Sequence, residues 1–372
     1  MAIPKRNQLV GLDIGSHSIK LVEIDHTKQG RILKNFGIVG LPPDAIVEGS
    51  IKDTELVSSA IKTLFKNLRV RNKNVVTSIS GFSVIVKKIS LEKMEESKLE
   101  STIQGEAEQY IPFDINDVNL DFDILTYGEE FGAEVDAEGE RPEEKEEKAK
   151  SDQMEVMLVA AKRDIVEDYQ TLISLAGLQA QILDVDAFAL QNAFEISSDE
   201  AEPEGCFALV NVGAEELGIN AVKRGVSMFT RDSSYGGSQV TDAIMAEFKV
   251  SFEEAEKIKL GGTTLETKRG ALEEIFTSVI SEWVQEINRA LDFVASTYPD
   301  EAIEKIFVSG GSSRISGFQN YLQMETGIAV EELNPFANLM TNERVFDLKY
   351  LEYMAPQAAV AVGLALRSIG DK

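Results

Sequence analysis

The sequence has very few of the residues that build disulfides and metal sites. Cys206 is the single cysteine, and His17 and His26 are the two histidines among 372 residues. One cysteine cannot form a disulfide within the chain, which fits a reducing compartment. This composition excludes a metal site built from clustered Cys and His side chains, and no cysteine–histidine pair for nucleophilic catalysis is expected.

Basic residues and long apolar runs are also scarce. The chain has 37 Lys and Arg against 63 Asp and Glu, which gives a net charge of −26. This charge disfavours nonspecific binding to nucleic acid and direct docking on anionic lipid, because phosphate groups repel the protein. No apolar run is long enough to span a bilayer, and the first residues lack the apolar core of a signal peptide. We therefore expect a globular protein without a transmembrane segment.

Two segments, one in each half of the chain, share the same pattern. Each has an apolar strand, a small acid or amide, a glycine, a tight turn and a second alternating strand; Asp13 and Gly15 stand in the first, Asn211 and Gly213 in the second. Alternation predicts half-buried strands, and the glycine lets backbone approach a ligand. Successive backbone N–H groups in such a turn attract anions. One copy alone is typical of an ordinary hairpin, but paired copies favour two related lobes that hold one phosphate chain.

Polar side chains around the first turn suit a phosphate ligand. Ser16 and Ser18 supply hydroxyl donors, and Lys20 supplies a point charge. Asp13, at the end of its strand, can hold a hydrated Mg²⁺ against phosphate oxygens. A glycine pair at 310–311 between a predicted strand and a helix is a further place where backbone can approach a nucleotide, although Gly-Gly-Ser alone is not specific.

The periodicity of the chain predicts strands alternating with helices in both halves. A segment at 128–152 is rich in glutamate with almost no apolar anchor, which predicts a solvated, mobile hairpin loop without a function of its own. The long helix predicted at 270–297 carries an apolar stripe that is typical of core. The last helix is predicted at 356–367, where small residues allow close approach at a lobe junction.

Several motifs in sequence order match the actin and sugar-kinase ATPase superfamily. They are Gly-Leu-Asp-Ile-Gly-Ser at 11–16, Asn-Val-Gly at 211–213, Val-Ser-Gly-Gly at 308–311 and Ala-Val-Gly-Leu-Ala-Leu at 361–366. Within it, the chain most resembles the PilM family, actin-like cytoplasmic proteins of type IV pilus assembly. The resembling details are residues 11–23, 108–113 and 184–190, Phe-Thr-Arg-Asp at 229–232 with Gly236 and Gly237, and residues 255–259.

The resemblance implies an α/β, actin-like two-lobed ATPase fold of duplicated ribonuclease H-like domains, with an inserted subdomain of the type found in FtsA and PilM. Residues 1–80 and 177–200 would form the first lobe, and residues 81–176, including the acidic loop, the insert. Residues 201–372 would form the second lobe, with its helical subdomain and the C-terminal helix. The lobes would hinge at 184–189 and 359–363.

The resemblance also implies ATP or ADP with Mg²⁺ as the ligand. Asp13 would order Mg²⁺ through water, Gly310, Gly311 and Ser312 would line the adenosine, and Glu256 and Lys259 would lie near the ribose and base. The full set of expected cofactor-binding residues is Asp13, Gly15, Ser16, Ser18, Lys20, Asn211, Gly213, Gly236, Gly237, Glu256, Lys259, Gly310, Gly311 and Ser312.

One residue departs from the superfamily pattern. Active members usually carry aspartate at the position of Asn211, and a neutral amide cannot act as a base or hold Mg²⁺ as firmly. Asp186 is the nearest candidate for an activating carboxylate, and no other catalytic residue is assigned. The sequence therefore favours ATP binding over fast hydrolysis.

The resemblance implies an adaptor that is cytoplasmic and attached to the inner membrane through a protein partner. That partner would be the short cytoplasmic tail of a PilN-like inner-membrane protein, with pilus motor ATPases as further partners. The peptide is expected in a groove between the first lobe and the insert, near Ile111 and Phe113, although both side chains also suit the insert's core. Two alternatives stay open. An FtsA-like division or filament protein usually ends in an amphipathic membrane helix, which the sequence through Lys372 lacks. A small-metabolite kinase needs a strong general base that faces a substrate cleft, and no distinct carboxylate and substrate-binding pattern emerges from the sequence.

Overall fold

The computed structural model describes residues 8–127, 153–198, 204–262 and 269–371. The predicted acidic loop at 128–152 lies outside the described residues. The chain divides into two compact units: one holds the described residues of Met1–Phe82 and Glu167–Asp371, the other those of Ser83–Val166. Each unit has its own sheet structure, and we describe them in turn.

The described part of the chain contains strands that are numbered here in chain order. They are β1 (Val10–Ile14), β2 (Ser18–Thr27), β3 (Gly30–Gly40), β4 (Ile46–Val47), β5 (Ser50–Ile51), β6 (Asn74–Ile79), β7 (Val84–Glu92), β8 (Val118–Tyr127), β9 (Gln153–Lys162), β10 (Gln179–Val185), β11 (Cys206–Val212), β12 (Leu217–Lys223), β13 (Val226–Ser233), β14 (Ile303–Ser309) and β15 (Ala329–Glu332).

The helices of the described residues are numbered in the same way. They are α1 (Thr54–Asn67), α2 (Glu96–Ala107), α3 (Arg163–Leu175), α4 (Asp186–Ser197), α5 (Gly237–Phe248), α6 (Phe252–Lys259), α7 (Arg269–Thr297), α8 (Phe318–Thr326) and α9 (Leu348–Ala365). None of them is both long enough and apolar enough to cross a membrane.

The larger unit contains two five-stranded sheets that repeat one topology. Their strand orders are β10-β6-β1-β2-β3 and β13-β12-β11-β14-β15. In the first sheet β1, β2 and β3 are antiparallel, while β1, β6 and β10 are parallel. In the second sheet β11, β12 and β13 are antiparallel, while β11, β14 and β15 are parallel. The sequence prediction of two related halves is therefore confirmed by matching strand order and direction.

The smaller unit is a three-stranded antiparallel sheet covered by one helix. Strand β9 lies between β7 and β8. Helix α2 buries Leu99, Ile103 and Ala107, which are spaced four residues apart and so lie on one face. The helix ends ahead of Pro112, since proline disfavours a helical conformation in the residue before it. These residues and the inner face of the sheet form a separate core.

The core of the second sheet is built on α7. Trp283, Val284, Ile287, Ala290 and Leu291 of that helix pack against buried residues of β11, β12 and β14. The Trp283 indole Nε1 donates a hydrogen bond to Gln239 Oε1 at 2.8 Å, so its polar atom is satisfied inside the core. The assignment of this apolar stripe to core rather than to a cofactor surface is thus confirmed.

The last helix differs from the prediction at its start. It was expected to begin at Pro356, but α9 begins at Leu348 and contains Pro356 in its interior. Asp347 caps the first turn by accepting from the backbone N–H of Lys349. The proline was wrongly taken as a helix start, because its cost inside a helix is offset here by burial of nearly all residues from Met354 onward. Its carbonyl accepts a hydrogen bond from Gly310 N at 2.8 Å.

Helix α9 packs tightly on the first sheet and on α4. A Cβ atom at Gly363 would overlap the backbone carbonyl of Ala189, and one at Gly11 would overlap the backbone of Ala361 and Ala365. Only glycine allows these approaches. Beyond the helix, Ser368 pairs with Gln8 in an antiparallel bridge.

Candidate functional site

A cleft lies in the larger unit where the carboxyl ends of β1, β6, β10, β11 and β14 meet. The residue after each of these strands, or one close to it, lines the cleft. Ligands of open α/β sheets bind at this edge, because the strand ends leave backbone groups and short loops unpaired there. The predicted residues that line it are Asp13, Gly15, Ser16, Ser18, Lys20, Asp186, Asn211, Gly213, Glu256, Lys259, Gly310, Gly311 and Ser312.

The first turn, between β1 and β2, is closed by a hydrogen bond from Gly15 N to Ser18 O at 3.2 Å. Lys20 Nζ lies 3.2 Å from Asp13 Oδ2, with both side chains largely buried. Ser18 Oγ accepts from Gln357 Nε2 at 3.3 Å. The turn therefore places a cation, a carboxylate and hydroxyl groups together on one wall of the cleft.

The second turn, between β11 and β12, forms the facing wall. Gly213 N donates to Glu216 O at 2.8 Å, and Ser312 Oγ donates to Gly213 O at 2.7 Å. Gly310 has a φ of +89° and passes so close to Val212 that a side chain would collide with its carbonyl. The glycine pair at the end of β14 thus packs directly on the second turn.

Lys259 and Glu256 of α6 form a charged cluster at the same cleft. Lys259 Nζ lies 2.5 Å from Glu256 Oε1, 2.9 Å from Thr241 Oγ1 and 3.3 Å from Gly237 O. Burial lowers the pKa of Lys259, and the Glu256 carboxylate opposes that change. The pair keeps a cation inside the cleft at a position that a ligand anion could approach.

Gly236 and Gly237 are placed differently from the other predicted residues. They are not among the residues that line the cleft. Gly237 N donates to Gly213 O at 3.0 Å, and there is no space for a Cβ between Gly237 and Ser312. Both glycines lie behind the second turn, where they support its backbone.

The family of the chain follows from comparison with known proteins. A model of the family described as "Type IV pilus assembly protein PilM" matches residues 11–137 and 143–369. The chain belongs to the PilM family. It is a type IV pilus assembly protein of the actin-like class, as the sequence motifs predicted.

Two solved structures are similar to the chain. One is described as a PilM–PilN type IV pilus biogenesis complex. Its matching chain is 29% identical in sequence, the match covers 97% of this chain and 98% of that chain, and the TM-score is 0.81. The other is the ethanolamine utilization protein EutJ from Carboxydothermus hydrogenoformans. It is 15% identical in sequence, the match covers 99% of this chain and 92% of that chain, and the TM-score is 0.56. The predicted mixed α/β, actin-like fold class is confirmed by these likenesses.

Sequence reasoning missed an acidic side of the cleft. Glu216 and Asp232 line it with Asp186, and Glu216 Oε2 accepts from Ser80 Oγ at 3.1 Å. Burial raises the pKa of Asp186 to about 7, with the nearby Asp13 carboxylate as the next cause. Burial also raises the pKa of Glu216 well above its ordinary range, helped by Asp232 and Asp186. Glu216 belongs to the repeated turn motif, which offered a signal, but Asp232 had none beyond the motif at 229–232.

Three further residues of the cleft were not predicted. Arg314 donates to Gln357 Oε1 at 3.0 Å, and His17 completes the first turn. Burial lowers the pKa of His17, which faces Glu256, Lys259, Lys20 and Arg314. Arg314 directly follows the segment Gly-Gly-Ser-Ser at 310–313, so an arginine in that position was a readable signal. Gln357 was not predicted as a cleft residue because its helix was assigned to packing alone.

The two predicted peptide-binding residues lie in the smaller unit. Ile111 is buried in that unit's core. Phe113 is half-buried, packs against the same core, and has Lys162 Nζ 4.6 Å from its ring centroid. Both side chains thus support the fold of the unit, and a role for them in peptide binding stays a prediction.

Proposed function

We propose that this protein is an assembly adaptor that binds the short cytoplasmic tail of a PilN-like inner-membrane protein. The support is membership of the PilM family together with likeness over nearly the whole chain to a PilM–PilN complex. The proposal places the protein in the cytoplasm, held at the inner membrane by its partner, where it links the membrane complex to the pilus motor. It includes the three-part division of the chain into lobes 1–80 with 177–200, insert 81–176 and lobe 201–372.

The proposal includes ATP or ADP bound in the cleft. The observation that carries it is the meeting of two glycine turns with Lys20, Lys259 and Arg314 at the carboxyl ends of the strands. Backbone N–H groups and cations in such an arrangement bind phosphate oxygens. Gly310 and Gly311 line the same cleft, and the proposal assigns them to the nucleoside.

The residues present also suit a hydrated Mg²⁺. The Asp13 carboxylate adds to burial in raising the pKa of Asp186, and a bound cation would relieve this repulsion. Among the residues that the structure describes, no group of three or more His, Cys, Asp or Glu side chains could hold a metal ion. We therefore assign Asp13 to hold Mg²⁺ through water, with the ligand's phosphates supplying the other contacts; such an ion would neutralise phosphate charge.

Hydrolysis in this cleft is proposed to be slow. Asn211 Oδ1 accepts from Ser309 Oγ at 3.2 Å, so the neutral amide is held in place rather than poised to accept a proton. Asp186, which lines the same cleft, is the carboxylate that the proposal assigns to orient water. Turnover on the order of 10 per second, which is typical of enzymes, would contradict this part of the proposal.

The experiment that tests the proposed function has two independent arms. Calorimetry with ATP and ADP in Mg²⁺ buffer measures the nucleotide arm, and fluorescence anisotropy with a labelled PilN tail peptide measures the partner arm. We expect saturable binding in both, and none with a scrambled peptide of equal composition. Absence of peptide binding in the presence and absence of nucleotide would refute the adaptor proposal, whatever the nucleotide result.

A further inference from the structure

One stretch of this acidic chain carries no acidic residue. Residues 56–91 contain no Asp or Glu, although the chain as a whole has 63 of them and a net charge of −26. Several cations of this stretch lie close together in the sequence, between the middle of α1 and the start of β6. They are Lys62, Lys66, Arg69, Arg71 and Lys73, which we call the basic face.

The side chains of the basic face are exposed and carry their charge without compensation. All of them are exposed to solvent, and none forms an ion pair with another of the described residues. Lys73 Nζ lies 5.6 Å from the ring centroid of Phe65, so the end of the segment stays beside the last turns of α1. Neighbouring cations repel one another, and an anionic surface relieves that repulsion.

The basic face lies at the edge of the first sheet opposite the cleft. Its segment leads into β6 at Asn74, and β6 runs parallel to β1, whose carboxyl end lines the cleft. Lys66, in the last turn of α1, also stabilises the helix dipole. Arg69 and Arg71 lie beyond the helix, so that role does not account for them. The basic face is therefore separate from the nucleotide site.

A small polar cavity opens beside the two arginines. Arg69 and Arg71 line it together with Lys34, Glu23 and Asp25. Both carboxylates contact the lysine, since Lys34 Nζ lies 2.7 Å from Glu23 Oε1 and 3.8 Å from Asp25 Oδ1. The guanidinium groups are thus left for an external anion, and their planar donors match the oxygens of a phosphate group.

The make-up of the basic face favours a lipid surface over a protein partner. The apolar side chains of the segment, Leu64, Phe65 and Val70, are buried. Protein interfaces are enriched in aromatic residues and depleted in lysine, whereas an anionic leaflet attracts any local excess of cations. Repulsion by more distant acidic residues is screened beyond about 10 Å at 0.1 M salt. The net charge disfavours lipid binding by the chain as a whole, and the basic face is a local exception.

We propose that the basic face contacts the anionic phosphate headgroups of the inner membrane, as a second contact beside the partner's tail. The inference rests on the proposed function for the nearness of the membrane, because a short tail would hold the chain close to the leaflet. At that distance an acidic protein needs to turn a face without acidic groups toward the lipid. Two individually weak contacts then give stable attachment, since the first raises the effective concentration of lipid for the second.

The test removes three charges of the basic face and measures vesicle binding by flotation of the full chain. The variant is Lys62→Gln with Lys66→Gln and Arg71→Gln, which leaves the backbone around Arg69 and the Lys73–Phe65 contact untouched. Vesicles of phosphatidylglycerol with phosphatidylethanolamine are compared with vesicles of phosphatidylcholine alone. Each is used bare and with a lipid-linked PilN tail peptide.

A matched control removes the same number of lysines and arginines elsewhere. It carries Lys257→Gln, Arg344→Gln and Lys349→Gln, three exposed residues from the second half of the chain. Its net charge equals that of the first variant. Thermal unfolding checks that both variants are folded.

We expect wild type and control to bind anionic vesicles more tightly than phosphatidylcholine vesicles, and less tightly as salt is raised. Each Lys or Arg near an anionic surface contributes about fivefold in affinity, so the variant of the basic face should bind anionic vesicles about 100-fold more weakly. Peptide-bearing phosphatidylcholine vesicles should bind all three proteins equally.

The remaining outcomes separate this inference from the proposed function. Equal binding of the three proteins to anionic vesicles, or no effect of anionic lipid with or without the peptide, overturns the inference. Binding of polyglutamate or duplex DNA by the basic face, without an effect of lipid, assigns it to another anion and also overturns it. If peptide-bearing phosphatidylcholine vesicles bind none of the proteins, the adaptor proposal fails, and the bare anionic vesicles still decide the lipid contact.

Discussion

Lys20 and Asp13 hold opposite charges 3.2 Å apart at the first turn, and both face the cleft. In the ligand-free protein the Lys20 ammonium group stabilises the Asp13 carboxylate, and it would contact phosphate oxygens when a nucleotide is bound. Arg314 lines the same cleft but is already bonded to Gln357. Loss of the positive charge at Lys20 should therefore weaken phosphate binding.

Replacement Lys20→Ala should weaken ATP and ADP binding together. A hydrogen bond to a charged group is worth roughly 1.5–3 kcal/mol, which corresponds to a loss of about 10- to 100-fold in affinity. Calorimetry measures the effect, and Lys62→Ala on the exposed side of α1 is the matched control. An affinity in Lys20→Ala equal to that of the control would place the phosphates elsewhere.

Glu216 should make stability depend on pH. Burial raises its folded-state pKa well above its ordinary 4.5, so the folded protein holds this proton more firmly than the unfolded chain does. The resulting stabilisation is complete below about pH 4.5 and is lost as the pH rises through the folded-state pKa. Stability of the ligand-free protein should therefore fall as the pH rises from 5 to 8.

The variant Glu216→Gln tests whether the Glu216 carboxyl group, rather than another titratable group, causes this pH dependence. The amide cannot ionise, so the melting temperature of the variant should exceed that of the wild type at pH 8 by a few degrees, with a smaller difference at pH 5. Scanning calorimetry at both pH values measures it, with Glu55→Gln as control. A constant difference between wild type and variant at both pH values would show that Glu216 does not titrate in this range.

Single residues were predictable where they belong to repeated turns and not where folding alone gathers them. Asp13, Asn211 and Gly213 could be assigned because the two halves repeat the same motif. Asp232 could not, since its proximity to Glu216 follows from the pairing of Gly218 with Asp232 across β12 and β13. No local spacing in the sequence encodes that register.

At the scale of elements, helix α9 packs most tightly where it contacts the backbone of α4. Gly363 stands against the backbone carbonyl of Ala189, at the start of α4. The prediction that the last helix lies at a lobe junction drew on its small residues, and the structure buries Ala358, Ala359, Ala361 and Ala365 fully. The start of α9 was harder to predict. Leu348 to Ala355 is helical because Asp347 caps the first turn and several apolar side chains are buried, but Pro356 was taken as the helix start.

Substitution of Gly363 by alanine should destabilise the larger unit. Its Cβ has no space beside Ala189, and such overpacking typically costs about 1–3 kcal/mol. Urea unfolding measures the loss. Gly270→Ala in α7 is the matched control, because no atom lies within 4 Å of a Cβ there, and its stability should be unchanged or slightly higher. Equal midpoints for the two variants would mean that the junction relaxes freely.

At the scale of the whole molecule, the repeated sheet is the feature that the sequence predicted best. Paired motifs indicated two lobes, and the strand orders match in both order and direction. Family resemblance added the insert, and a compact unit formed by the described part of Ser83–Val166 is present. Short strands such as β4, β5 and β15 were not predicted, since two to four residues carry too little periodicity.

Partner binding belongs to this scale, and Phe113→Asp tests where the peptide docks. We expect the affinity for the PilN tail peptide to drop by about tenfold or more, as for an apolar anchor, while circular dichroism and thermal unfolding of the variant match those of the control as evidence of folding. Ser101→Asp on the exposed side of α2 adds the same charge to the same unit and serves as control. Full peptide affinity in folded Phe113→Asp would place the groove at other residues.

The pairing of Gln8 with Ser368, and the packing of Gly11 on α9, bear on how the protein is made. Strands β2 and β3 bury Val22, Ile24, Leu33 and Phe36 against α9, which is synthesised after all the other described strands and helices. The second sheet, from β11 to β15, is complete in a continuous stretch of chain before that. We expect the second sheet to fold first during synthesis, leaving an apolar face of the first sheet exposed to chaperones until α9 emerges. Protease resistance of the first lobe in nascent chains ending near residue 340 would show otherwise.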